Sequence, residues 1–142
     1  MTMINFNITF KTVDARRLGA VKSQVNINNN STIVSVTKEG DKINVGFVFS
    51  SSYEPNIGII RIEGDLAIED SRENIEKALA EWEKSEKTKL PKEMAESVHN
   101  TILSNCIVEA SILARDIKLP SPVPMPQVTL GSKETSDTSY IR

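Results

Sequence analysis

Catalysis and metal binding need particular side chains at particular spacings, and this chain offers few. It has one histidine, His99, and one cysteine, Cys106. Glu96 and His99 stand at i, i+3, a spacing that holds metal in helix bundles. Those sites use two such motifs and further carboxylates, so this pair reads as a solvated one. Cys106 lies two helical turns beyond His99, about 10 Å away along a helix. That is too far for the hydrogen bond that activates a Cys–His pair. Ser50, Ser51 and Ser52 fall in an expected turn with no base beside them. No glycine-rich dinucleotide or phosphate loop and no G-x-S-x-G elbow occurs. Acidic side chains alternate with lysine, as on a wet surface. These residues imply no enzyme, no metal and no cofactor.

The element that organises the chain runs from Pro91 to Ile117. Proline suits the first turn of a helix, where its missing N–H would have no partner. Met94, Val98 and Ile102 form an ordinary stripe. From Cys106 onward Ile107, Val108, Ala110, Ile112, Leu113 and Ala114 make the helix apolar most of the way round, and such a helix needs cover on more than one side. A sheet covers one face; Ile107, Val108, Ile112 and Leu113 are therefore candidates for an interface between subunits. Prolines 120, 122, 124 and 126 stop the helix at once. They predict an extended strap packed on its own domain.

The first half reads as strands. Ile4, Phe6, Ile8 and Phe10 alternate with polar residues. Val13 to Ala20 reads as a connection, and Val21 to Ile27 as a short extended segment ended by turn-prone Asn28 to Ser31. Thr32–Thr37 and Ile43–Phe49, separated by Lys38 to Asp41, form a hairpin. Ser51 to Asn56 reads as the next turn. Ile60, Ile62, Leu66 and Ile68 mark the last strand, in which Gly64 suggests a bulge or bend. Short loops predict an antiparallel meander, with two helices on its apolar face, an α+β layer. In the lesser helix Asp70 and Glu73 resemble a capping box, and Ile75, Leu79 and Trp82 form a narrow stripe.

The 142 residues suit one domain, taken as 1–128, followed by a polar, disordered tail over 129–142. Net charge of −2 gives no field for nucleic acid or an anionic membrane. Phe6, Phe10, Phe47 and Phe49 share the core face and leave no stacking platform for bases. No apolar run is long enough to span a bilayer. The start lacks a basic, then apolar, leader. A single cysteine excludes an intrachain disulfide, so the reducing cytoplasm is expected.

Strands, a lesser helix, a long helix and a proline-rich coda come in the order of the SecB family of ATP-independent chaperones. FNITFKTV at 6–13 resembles its opening strand, and IRIEGDLAI at 60–68 its last strand. IVEASILAR at 107–115 followed by LPSPVPMPQV at 119–128 is similar to its long-helix end and following segment. The resemblance implies a homo-oligomer, a dimer or a tetramer built as a dimer of dimers. It also implies a role in protein transport by binding unfolded or client polypeptides in hydrophobic grooves. The matching groove positions are Leu79, Trp82, Leu90, Met94, Val123 and Met125. Family members dock the motor SecA through acidic residues on the open sheet face; Asn44, Ser50, Arg61 and Glu63 here make a mixed set. Trp82 is the only aromatic at those groove positions. A structural or assembly subunit, or an adaptor for one dedicated client, is the alternative on the same fold.

Overall fold

The computed structural model describes residues 5–21 and 24–123. The polar tail and Met125 lie outside these residues. Four strands, β1 (Asn5–Arg17), β2 (Asn26–Glu39), β3 (Lys42–Glu54) and β4 (Gly58–Glu69), precede helices α1 (Arg72–Lys84) and α2 (Lys92–Asp116). All neighbouring strands are antiparallel, and the layer is α+β as expected.

The connectivity is not the expected meander. The strand order is β1-β4-β3-β2, the Greek-key arrangement. β1 and β2 are thus the two edges. Arg17 pairs with Gly58 and Asn26 with Glu54, so the chain passes across the β3–β4 turn to go from one edge to the other. Leu18 and Gly19 donate to the Ile57 carbonyl at 2.8 and 3.1 Å and pin the start of that crossing. Short loops at β2–β3 and β3–β4 do make hairpins; β1 and β2 are joined by a longer segment and pair with β4 and β3 instead of with each other.

Three segments expected as loops are strand. Val13 to Arg17 extends β1, because a bulge at Lys11 shifts the register between Phe10 and Thr12 and returns Val13 and Ala15 to the Ile62 and Ile60 side. Gly64 faces that bulge. A Cβ there would overlap the Thr9 carbonyl oxygen and meet Phe47 Cζ at 3.0 Å, so the glycine permits the approach while the partner strand bends. Asn28 to Ser31 lies inside β2, and Ser51 to Glu54 inside β3. Their polar inward side chains have distant partners, described below.

The inward face is aliphatic and aromatic: Ile43, Val45, Phe47, Phe49 and Tyr53 of β3 with Ile60, Ile62, Leu66 and Ile68 of β4, all buried. The outward face carries ion pairs such as the exposed Arg61–Glu63 at 2.9 Å, which adds little net stability, and Lys11–Asp65 at 2.8 Å, in which the carboxylate is half-buried.

Ser71, rather than Asp70, caps α1: its hydroxyl accepts from the Asn74 amide at 3.2 Å. Asp70 instead accepts from the Ser71 N–H and the Asn74 side chain. Ile75, Ala78 and Trp82 of α1 are buried. α2 begins directly after Pro91. It ends with Lys118 at φ 59°, while Leu119 and Lys118 donate to the Ala114 and Arg115 carbonyls at 2.8 and 3.2 Å. This is a Schellman turn with lysine where glycine is usual. It points the chain back along the sheet.

Candidate functional site

The two halves of α2 meet the sheet differently. In the first half, large side chains point inward: Met94, Val98 and Ile102 are buried. Outward stand Glu93, Glu96 and Asn100, all exposed. In the second half the inward residues are small. Cys106, Ala110 and Ala114, at i, i+4, i+8, are each 0% exposed. Val108 and Ile112 lie about 160° and 200° around the helix from Ala110, and are 63% and 42% exposed. Small seats let the helix lie close to the sheet, and the bulky aliphatic residues then have only the outside left. Ile107 and Leu113 flank this ridge, half-buried against the core. Of the four residues expected at a subunit interface, two thus form an open apolar ridge and two are shared with the chain's own core.

Of the expected groove residues, Trp82, Leu90 and Met94 are buried, at 3%, 5% and 7% exposure, and Leu79 packs half-buried against the same core. Leu90 still borders a groove of ≈ 540 Å³, with Ile33 of β2 and Ala95 and His99 of α2 beside it and Glu81, Lys89 and Lys92 at its margin. Met94 borders a second cleft of ≈ 430 Å³ between the starts of α1 and α2, with Asn74, Lys77 and Pro91. Val123, half-buried, lies away from both, at the end of the segment after α2.

His99 is not a solvated partner of Glu96. It is half-buried, with Nδ1 2.6 Å from the Ser31 hydroxyl, and so ties α2 to edge strand β2. A hydroxyl–imidazole pair is where nucleophilic catalysis begins. Among the described residues no third group hydrogen-bonds the other ring nitrogen, and what the pair does in this structure is join α2 to β2. Burial pushes the Cys106 thiol up to about 12, with Glu109 adding to the shift; the thiol is protonated at neutral pH and is no nucleophile. Among the described residues no group of three or more His, Cys, Asp or Glu could hold a metal ion. No helix among them is long and apolar enough to cross a membrane.

The segment after α2 packs on its own domain. Leu119 is 6% exposed and closes on Gly58, where a Cβ would come within 2.8 Å of its Cδ1. Arg17 donates to the Ile117 and Lys118 carbonyls at 3.2 and 2.7 Å. Tyr53 donates to the Pro120 carbonyl at 2.7 Å, and Asn29 to that of Pro122 at 2.9 Å. The strap expected from the prolines is present through Val123, with a bend at Pro122 and Val123. Ser51, missed as a turn residue, is 0% exposed on the inward face and donates to the Asn29 side-chain oxygen. Its only signal in the sequence was its even alternation with Phe49 and Tyr53.

No protein-family model, curated protein or solved structure matches the chain.

Proposed function

We propose that the chain is an oligomeric holdase that binds non-native polypeptides without nucleotide. The observation that carries this reading is the Val108–Ile112 ridge, turned outward opposite a seat of small residues. Covering the exposed part of such a side chain is worth about half of the roughly 1.5–3 kcal/mol for full burial, and a second copy brings the same ridge to a two-fold contact. The groove beside Leu90, Ile33 and Ala95 then offers an apolar strip for an exposed client segment, Met94 borders the second cleft, and Leu79 and Trp82 belong to the core that holds the helices in place. Val123 and Met125, in the segment that follows α2, belong to the proposal as further apolar contacts for a client. Many weak apolar contacts suit a promiscuous binder. The likeness to the SecB family in the order of elements supports the same reading.

The test is aggregation of a chemically unfolded model client without ATP. A holdase suppresses it at substoichiometric amounts; no suppression at tetramer excess leaves the chain a non-catalytic assembly subunit. That second reading draws on the seated strap, whose Leu119 is already buried in its own domain.

A further inference from the structure

We propose that Asn29, Ser51 and Tyr53 form a recognition site for the main-chain carbonyls of proline-rich segments, occupied in this chain by its own Leu119–Val123 and able to take such a segment from another polypeptide. Ser51 and Tyr53 are alternate residues of β3 on one face, and Asn29 of β2 stands opposite Ser51 in register. Among the described residues Ser51 is the one buried polar side chain, and its proton goes to the Asn29 amide oxygen. With the oxygen occupied, the amide is oriented so that its NH2 faces the strap. Asn29 and Tyr53 thus present donors to two carbonyls two residues apart, those of Pro122 and Pro120. Burial pushes the Tyr53 phenol up to about 12, so it remains a donor at any ordinary pH.

The chemistry selects the ligand. Proline has no N–H, so a Pro-x-Pro segment offers acceptors at alternate positions and fewer donors to be left unpaired. The side chains that meet the strap here, Asn29 and Tyr53, meet it as donors to carbonyls, so a segment rich in acceptors and poor in N–H groups is the better match. The resident segment is also releasable: beyond the Leu119 N–H to Ala114 bond the described strap residues are held through side chains, and Lys118 at φ 59° marks the joint. The site shares no residue with the groove beside His99 and does not depend on the holdase reading.

The experiment uses ¹⁵N-labelled full-length protein titrated with an unlabelled peptide of sequence LPSPVPMPQV, and with the same peptide carrying alanine for every proline. The proline peptide is expected to shift the Asn29 side-chain NH2 and the Ser121 and Val123 amides saturably. The protein variant Pro120→Ala/Pro122→Ala, whose own strap is less preorganised, is expected to bind it roughly fivefold more tightly. The alanine peptide is expected to leave these resonances in place. No saturable shift in either protein, or an equal response to the alanine peptide, would overturn the proposal. Aggregation suppression reports on the holdase reading separately, so either idea can fail alone.

Discussion

The first and second halves of α2 are both rich in aliphatic residues, yet they solve the packing problem in opposite ways. Met94, Val98 and Ile102 drive large side chains into the sheet and leave a polar exterior. Cys106, Ala110 and Ala114 bring the backbone close and leave Val108 and Ile112 outside. The first half is packed against the chain's own sheet. The second leaves Val108 and Ile112 exposed among the described residues. Hydrophobicity alone does not distinguish these two arrangements; the position of the small residues does.

The largest effect is expected at Ile102. Ile102→Ala should cost about 2–5 kcal/mol in urea unfolding, because it opens a cavity in a filled core. Val108→Ala, measured at concentrations where the protein is monomeric, should change stability by less than about 0.5 kcal/mol. Equal losses at the two positions would erase the contrast. Next, Ala110→Leu should cost about 1–3 kcal/mol by forcing the helix off its close seat; a neutral outcome would mean that the seat has slack.

Buried titratable groups sharpen the picture under alkaline conditions. The unfolded Cys106 thiol and Tyr53 phenol ionise near 9.0 and 10.0, and both rise to about 12 in the folded chain. The unfolded state therefore releases these protons first, and stability falls as pH climbs through this range toward 12. Tyr53→Phe should remove the tyrosine's share of that loss above pH 10 and leave the share due to Cys106, read from urea midpoints across pH. A smaller and simpler check is thiol accessibility. Cys106 should react with a thiol reagent only at the rate of opening, while a cysteine placed at Val108 should react at once in the dissociated protein.

The legible parts of this fold were the local ones. Period-two alternation locates β3 and β4, and the widening apolar pattern after Cys106 marks the half of α2 that carries Val108 and Ile112. The pairing of β1 with β4 was not legible, since nothing in the Val13–Val25 stretch encodes which edge it must reach. Asn28 to Ser31 misread as a turn for a related reason. Its polar residues favour turns only when their side chains bond locally, and here Asn29 bonds Ser51 and Pro122 while Ser31 bonds His99. The groove positions Trp82, Leu90 and Met94 looked like binding residues in a helix pair, yet most of their surface is spent on the core. Only packing against the sheet reveals that.

Light scattering on the wild type and on Val108→Asp/Ile112→Asp tests the central claim most directly. The wild type should have the mass of a dimer or larger assembly, and the double variant should fall to the monomer mass while keeping its helical and strand content. A wild-type chain that stays monomeric at high concentration, or a double variant of unchanged mass, would contradict it.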